Sequence, residues 1–404
     1  MKILVLCNKS PYPPKEGGAI AMNALVEGLA RAGNQLRVVA VSSDKFPVKA
    51  EDIPSDYCQK TKLEIVHLDL SIKPVDAFMN LFSKKSYHVQ RFTSTAFAQK
   101  LTRILKEDNF DIIQLETLYM CPYIPLIRRN SKAKIVLRTH NIEHMIWEEI
   151  ARDSRNPIKR WYLSYLARKL KTFEIDALHD ADGIAAITDP DADYIRSQAS
   201  EVPVETIHFG IFPEEYKNDF KPQSLPRDIF HIGSMNWLPN EEGIRWFLKD
   251  VMPYVHHLHD DLKLYLAGRM MPDWLLNYGR NNVVIVGEVE NAVEFMTQHG
   301  IMIVPLFSGS GVRIKIVEAM LAGRAVISTS KGAQGLSCRD GENIMIADTR
   351  DDFVSAISKC LADPAFAVRL GENARKYILA EHNNLIVIEK LMAFYAKLLE
   401  EREA

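Results

Sequence analysis

Two doubly wound α/β domains, each built on a parallel sheet, are what this sequence predicts, and three observations predict them. Short apolar runs without polar–apolar alternation, such as Ile3-Leu4-Val5-Leu6 and Gly300-Ile301-Met302-Ile303-Val304, read as strands buried on both faces. These runs alternate with helical stretches along the chain, the pattern of βαβ units. Two helices are entered through glycines, at Gly17-Gly18 and at Gly309-Ser310-Gly311, and a helix start behind a glycine loop is a place where backbone N–H groups hold an anion. With 404 residues, 47% of them hydrophobic, the chain can fill two ordinary cores.

The first half opens with a strand from Ile3 to Leu6 and a polar loop through Pro13-Pro14 to Gly17-Gly18. A helix from about Ala19 to Ala32 stops at Gly33-Asn34, and a strand runs from Leu36 to Val41. The loop is not G-x-G-x-x-G, which removes the main support for a nicotinamide cofactor, and a plain turn would also explain two adjacent glycines. Residues 44 to 110 read as less regular. Between Ser71 and Lys106 there are seven Lys or Arg (Lys73, Lys84, Lys85, Arg91, Lys100, Arg103, Lys106) against one acid, Asp76, interleaved with Phe78, Leu81, Phe82, Tyr87, Phe92 and Phe97. Such a segment suits an anionic membrane surface or an anionic acceptor, and equally suits a helical pair with solvated basic faces.

A strand from Asp111 to Leu115 follows, with Glu116-Thr117 at its end, then a helix over 118–129 and a strand from Lys134 to Arg138 ending in Thr139-His140-Asn141. Strand C-termini of an open α/β sheet face the ligand crevice, which suits His140 for function, although it could instead cap the next helix. Glu116, Asn141, Glu143 and His144 are its neighbours in sequence. Helix 157–180, a strand from Gly183 to Ile187, the helix start Thr188-Asp189-Pro190-Asp191 with Pro just inside, and a strand from Val204 to Gly210 complete this half.

After a linker from Pro213 to Pro226, strands are expected over Asp228 to Gly233, Leu264 to Gly268 (ending at Arg269) and Val283 to Val289, with a helix to about Val255 after the first. The unit that organises this half is Gly300–Ile327, a strand, glycine loop, helix and strand. Its helix is apolar almost all round, yet it places Arg313 and Lys315 at its start, where the free N–H groups already carry partial positive charge. A buried helix start with two added cations calls for an anion, a phosphate or pyrophosphate, unless the two side chains snorkel to water. Glu318, the one acid of this helix, could pair with Lys315 or accept hydrogen bonds from sugar hydroxyls. Helices at about 350–361, 364–380 and 384–402 close the chain.

Composition narrows the field. The net charge is −2, so a nucleic-acid binder, more often strongly basic, is disfavoured. Five scattered cysteines without C-x-x-C suggest neither a disulfide framework nor a zinc site and fit a reducing cytoplasm. The apolar run at Ile3–Cys7 is too short for a signal peptide, and no run approaches a membrane span. Asp189-Pro190-Asp191 has the spacing of a metal motif but reads as a helix cap.

At Gly309-Ser310-Gly311, Lys315, Glu318-Ala319-Met320-Leu321-Ala322-Gly323 and Val326-Ile327 the sequence resembles the retaining glycosyltransferases of family 4, and the likeness extends to the loop at Gly17-Gly18 and to His140. The resemblance covers nearly the whole chain. It implies the GT-B arrangement, two Rossmann-like domains facing each other across a cleft. Residues 1–213 would be the acceptor-side domain, with the helix at about 384–404 packing back onto it, and 214–383 would bind the donor. It implies that Gly309, Ser310, Gly311, Val312, Arg313 and Lys315 hold the donor diphosphate, with Gly17 and Gly18 approaching from the first domain. Glu318 would bind the nucleotide ribose and His140 the donor sugar. The sequence departs from the family where an acid is common at Ser310, an Arg at Ser234 and a Lys at Asn240, so the phosphate charge would fall to Arg313, Lys315 and Arg269, with Gly233 also at the donor site.

The activity so implied is transfer of a sugar from a nucleotide-diphosphate sugar of UDP or GDP type to a hydroxyl acceptor, with retention, without metal and without a further cofactor. The acceptor would be a glycan or a lipid-linked glycan in cell-envelope or exopolysaccharide synthesis. The protein would be cytoplasmic, with peripheral membrane contact through 71–106 and no nucleic-acid partner. A nucleotide-sugar epimerase of the same fold and a non-catalytic glycan- or lipid-binding relative remain alternatives.

Overall fold

The structure, a computed structural model, describes residues 1–14, 17–45, 47–83, 85–216, 225–280, 282–309 and 311–400. Ser310 and Lys84 lie outside the described residues. The chain forms two compact units, one of Met1–Ile211 together with the chain from Asn384, the other of Phe212–Asn383.

In the first unit β1 (Lys2–Cys7), β2 (Gln35–Ser42), β3 (Glu64–His67), β4 (Ile112–Glu116), β5 (Lys134–Thr139), β6 (Gly183–Ala186) and β7 (Val204–Thr206) pair in parallel in the order β3-β2-β1-β4-β5-β6-β7. Between them run α1 (Gly17–Arg31), α2 (Ser55–Thr61), α3 (Pro74–Asn80), α4 (Tyr87–Gln90), α5 (Thr95–Glu107), α6 (Ile124–Asn130), α7 (Glu143–Asp153), α8 (Pro157–Asp180) and α9 (Asp189–Gln198). The unalternating runs have a simple cause. Along β1, Ile3, Val5 and Cys7 enter the core on one face, while Leu4 and Leu6 enter the core on the other. Chain order reverses at β1, so the C-terminal ends of β1 and β4 flank the switch point where open α/β sheets bind ligands.

The stretch that looked irregular contains β3, an edge strand along β2 with Val39 opposite Glu64. Its charged ends hide its period, as edge strands often do. The predicted helix 118–129 is a 3₁₀ segment, Leu118–Tyr123, followed by α6, because Pro122 and Pro125 cannot donate to an α ladder. Thr188 caps α9 as expected, its hydroxyl accepting from the Asp191 amide at 3.2 Å.

In the second unit β8 (Ile229–Ile232), β9 (Leu264–Ala267), β10 (Val283–Gly287), β11 (Ile301–Val304), β12 (Ala325–Ser328) and β13 (Met345–Ile346) form a parallel sheet in the order β10-β9-β8-β11-β12-β13. Its helices are α10 (Leu238–Trp246), α11 (Met252–Leu258), α12 (Asp273–Leu276), α13 (Ala292–Thr297), α14 (Ile314–Leu321), α15 (Arg350–Ala362) and α16 (Pro364–Glu381). The single helix expected to Val255 is broken by a π turn at Phe247–Val251, just before Pro253, which has no N–H to continue the ladder. Here too the chain order reverses at the first strand, between β8 and β11.

The last helix, α17 (Asn384–Glu400), belongs to the first unit. Val387, Ile388, Leu391, Phe394, Tyr395 and Leu398 fill the same core as Ile3 and Val5. Its start is pinned by Asn384, whose amide donates to Ile211 O at 2.7 Å and whose side chain donates to Ala24 O at 2.8 Å. The Asn384 side chain lies where a Cβ at Gly210 would stand, and the strand expected to run to Gly210 ends at Thr206. A Cβ at Gly183 would come within 2.6 Å of Leu398 Cδ1 and 2.9 Å of Phe394 Cζ. Gly183→Val therefore overpacks the β6–α17 contact, and chemical denaturation is expected to show a loss of about 1–3 kcal/mol. An unchanged midpoint would mean that α17 is not held against β6.

Candidate active site

In the second unit the glycine loop sits at the C-terminal end of β11 and runs into α14. Arg313 is the N-cap of that helix, buried, and its guanidinium lies 5.0 Å over the Trp237 ring. Gly309 (φ +94°) and Gly311 (φ +80°) both have left-handed backbone. At Gly309 a Cβ would also strike the Trp237 ring at 2.7 Å and Arg313 Nη2 at 3.2 Å, so only glycine lets the loop lie on this pair.

Lys315, in the first turn of α14, turns towards the end of β8. Its Nζ donates to Asn240 Oδ1 at 2.7 Å and lies 3.3 Å from His231 Nε2. His231 Nδ1 donates to Ile303 O at 2.9 Å, which leaves Nε2 as an acceptor for Lys315. Burial, helped by the nearby Lys315 charge, holds this imidazole well below its usual range, so it is neutral. Burial, with Arg313 nearby, likewise pushes the Lys315 ammonium well below the usual lysine range. Gly233 borders the same space: a Cβ there would lie 2.7 Å from Asn240 Nδ2 and 3.1 Å from Lys315 Nζ. Asn240, which stands where the resemblance leads one to expect a lysine, instead orients Lys315, and its own amide is held by Ser234 O at 2.9 Å.

Glu318 lies one turn beyond Lys315 but faces Tyr216, whose hydroxyl donates to Oε1 at 3.3 Å. Burial pushes the Glu318 carboxyl up to about 7 against the pull of that hydrogen bond. Val312 is half-buried beside the loop. Arg269 is exposed, and its carbonyl accepts from the Met235 amide at 2.9 Å.

The first unit carries a separate constellation at the ends of β4 and β5. Glu116 is fully buried. Its Oε2 accepts from His140 Nε2 at 2.7 Å and from Arg138 Nη1 at 3.2 Å, while Gln114 donates to Oε1 and Tyr395 of α17 donates to Gln114. Burial works to raise the Glu116 carboxyl, but Arg138 and the His140 hydrogen bond outweigh it and hold it below the usual carboxylate range. Burial lowers the basicity of His140, partly offset by Glu116. The ring therefore gives its Nε2 proton to Glu116 and presents Nδ1 as an acceptor. Thr117 follows at φ +77°, and the buried Oγ1 atoms of Thr117 and Thr139 have no hydrogen-bond partner. At the start of α1, Gly18 leaves room for Lys9, whose Nζ would be 3.2 Å from a Cβ there; Gly17 is exposed beside it.

Near this strand end a cavity of about 590 Å³ is walled by two stacked ring pairs, His88 on Trp147 at 3.9 Å and Phe92 on Tyr119 at 4.6 Å, with Lys45 and Arg91 on its rim. His88 is buried, and its Nε2 has no hydrogen-bond partner. Tyr119 also donates to Glu143 Oε2 at 2.8 Å. Burial pushes the Glu143 carboxyl up to about 7.

The structure thus gathers Gly233, Gly309, Gly311, Arg313 and Lys315 in one place, with Glu318 one turn away. Gly17, Gly18 and His140 belong to the other unit. Sequence reasoning missed His231, Trp237, Tyr216, Arg138, Gln114 and Tyr395. The one signal available was the pair of polar residues, His231 and Gln114, inside otherwise apolar strands.

Two parallel-sheet units, each with its polar residues at the switch point, define a protein of the GT-B fold. The fold is shared along the whole chain with solved structures. Sucrose-phosphate synthase from Thermosynechococcus elongatus matches with a TM-score of 0.71 at 16% identity, covering 99% of this chain and 100% of that one. Anabaena HepE in complex with UDP matches with a TM-score of 0.67 at 13% identity, covering 98% and 100%. Residues 16–215 match the family model described as Glycosyltransferase Family 4, and residues 226–363 match the one described as Glycosyl transferases group 1. The chain is a glycosyltransferase. Among curated relatives, an uncharacterised 44.6 kDa protein in the cps region of Klebsiella pneumoniae is 21% identical over 402 residues, 96% of this chain and 98% of that one. The lipopolysaccharide core biosynthesis mannosyltransferase LpcC of Rhizobium leguminosarum bv. viciae is 21% identical over 246 residues, 56% of this chain and 68% of that one.

Two expected outcomes test this geometry. Asn240→Leu removes the group that aims Lys315, and isothermal titration should show nucleoside-diphosphate affinity about tenfold weaker, the size of one charged hydrogen bond; unchanged affinity would remove Asn240 from the site. Glu318, whose folded pKa of about 7 exceeds the usual 4.5, binds its proton more tightly in the folded state. Its contribution is present below the unfolded pKa and lost as pH rises through about 7. Stability of the ligand-free protein should fall over that window, and Glu318→Gln should remove that part of the slope.

Proposed function

We propose that this protein transfers a sugar, with retention of anomeric configuration, from a UDP- or GDP-type sugar to a hydroxyl of a glycan or lipid-linked glycan in polysaccharide or cell-envelope synthesis. The observation that carries the reading is the start of α14, where a glycine loop, a capping Arg313 and a Lys315 held by neutral partners converge. A diphosphate supplies the negative charge this arrangement favours. Support for the donor class comes from HepE, whose structure holds UDP, and for the pathway from LpcC, a lipopolysaccharide core mannosyltransferase.

In this reading the diphosphate is the leaving group. The bond from the anomeric carbon to the phosphate oxygen breaks, the acceptor oxygen bonds to that carbon, and the acceptor proton passes to the departing phosphate. Arg313, Lys315 and the α14 amides stabilise the charge that develops, without a metal ion. Gly233 gives the phosphates room beside Lys315, and Val312 and Arg269 border them. Glu318 takes the ribose hydroxyls. His140 offers Nδ1 to a hydroxyl of the transferred sugar, and Gly17 and Gly18 leave the Lys9 loop open to the donor. The ring-walled cavity at Trp147 and Phe92 receives a sugar ring of the acceptor, whose C–H faces suit aromatic walls.

The test is a thermal-shift panel of UDP, GDP, ADP, CMP and their sugars, followed by a transfer assay with and without chelator. At about a hundred times its dissociation constant, the true diphosphate should stabilise the protein by roughly 2.7 kcal/mol. Lys315→Ala should lose that shift and lower turnover by on the order of a hundredfold or more. Trp147→Ala should raise the acceptor KM and leave the donor shift intact. If no nucleotide shifts the wild-type protein, the donor reading fails; if chelator abolishes transfer, the metal-free mechanism fails.

A further inference from the structure

The apolar residues of the first unit do not all reach a core. Around α3, Ile72, Val75, Phe78, Met79 and Phe82 expose 60–79% of their surface, and Phe78 and Phe82 meet edge to face at 5.7 Å. Large apolar side chains clustered in water mark an interaction surface rather than chance exposure. The segment is fixed to α8, not loose: Tyr165 Oη donates to Leu81 O at 2.7 Å, and Lys169 Nζ donates to Asn80 O at 2.6 Å and Oδ1 at 2.9 Å. Tyr165 in turn stacks with Trp161 at 6.1 Å, and Trp161 is 64% exposed, so the aromatic surface continues from α3 onto the first turns of α8.

Beside that strip runs a cationic one. At about 100° per residue, Arg160, Ser164, Arg168 and Lys171 share one face of α8, and Trp161 and Tyr165 lie on the adjoining face. The first four, with Glu148 and Arg152 of α7, line an open pocket of about 530 Å³, four cations to one acid. Three cations of the basic segment read from the sequence have acidic partners. Lys100 and Arg103 pair with Glu64 at 3.0 and 2.6 Å, and Lys73 pairs with Asp69 at 3.0 Å. A local excess of positive charge next to exposed aromatic rings is found at this α7–α8 pocket, beyond the segment 71–106.

We propose that this face of the first unit docks on an anionic phospholipid bilayer, with Phe78, Phe82 and Trp161 entering the headgroup layer and the Arg152–Arg160–Arg168–Lys171 pocket taking a lipid phosphate. An aromatic strip flanked by cations matches the polarity of an anionic bilayer surface, where rings sit at headgroup level and each Lys or Arg near the surface adds attraction. A protein partner would need acids placed opposite these cations; a bilayer needs only its charge. No described helix is long and apolar enough to cross a membrane, so contact of this kind is peripheral. The docking face does not rest on the donor reading, and the two can fail separately.

The experiment is co-sedimentation of the full chain with vesicles of phosphatidylcholine alone or mixed equally with phosphatidylglycerol, at low and high salt. Wild type should bind the mixed vesicles, release in high salt and ignore phosphatidylcholine. Arg160→Ala with Arg168→Ala should weaken binding roughly thirtyfold. Phe78→Ser with Phe82→Ser, both exposed and so harmless to folding by circular dichroism, should weaken it at least tenfold. Equal binding by all variants, or no binding by wild-type protein that passes the same folding check, overturns the proposal. So does a wild-type dimer that Phe78→Ser with Phe82→Ser dissolves, because a second copy would then cover the face.

Discussion

A charge taken out of water has to be held by something, and that constraint organises both units. In the first unit it falls on Glu116, fully buried at the end of β4. Arg138 and His140 reach it from the neighbouring β5, Gln114 from its own strand, and Tyr395 adds a further hydrogen bond through Gln114 from the far end of the chain. Removing one partner of a buried ion pair usually costs about 3–5 kcal/mol, because the remaining charge keeps its desolvation penalty. The C-terminal helix is thus tied to the strand end that presents His140, and its place in the first unit is a matter of site geometry as well as core filling.

The second unit meets the same constraint with neutral groups. Asn240 and His231 offer Lys315 lone pairs but no negative charge, and His231 can do so only as the neutral tautomer with its proton on Nδ1. A lysine at 240 would bring another positive charge to a site where Arg313 already depresses the Lys315 ammonium. With asparagine there, Lys315 is oriented by a neutral group, and the cation nearby is Arg313. The departure from the family pattern is then compensated by orientation: less charge, held more firmly.

Most strands were legible because both faces of each sheet are buried, so β1, β5, β11 and β12 announce themselves as unbroken apolar runs. What stayed hidden depends on contacts between distant residues. β3 carries Glu64, whose side chain draws in Arg37, Lys100 and Arg103; without that strand in view, Lys100 and Arg103 look like free surface charge. The glycine loop and its two cations could be read because they break a local rule about helix starts. Trp237 and Tyr216 break none, and His231 shows only as a polar residue in an apolar strand: their roles come from facing Arg313, Glu318 and Lys315 from other elements, which spacing along the chain does not encode.

The carboxylates bear on the chemistry as well. Glu116 is the ionised one, yet both of its oxygens are engaged and it has no exposed surface, so it cannot attack an anomeric carbon. Glu143 and Glu318 are pushed to about 7 by burial. Glu143 gains nothing from the helix it begins, because Glu174 of α8 already accepts from the first amides of α7, at 2.8 Å from Glu143 N and 3.0 Å from His144 N. A carboxyl that titrates near neutrality is a poorer nucleophile than an ionised one, but it can accept or give a proton as well as a hydrogen bond. With the ionised Glu116 sealed away from any nucleophilic role, the proposed transfer hands the acceptor proton to the departing phosphate, and the charge that develops there falls on Arg313, Lys315 and the start of α14.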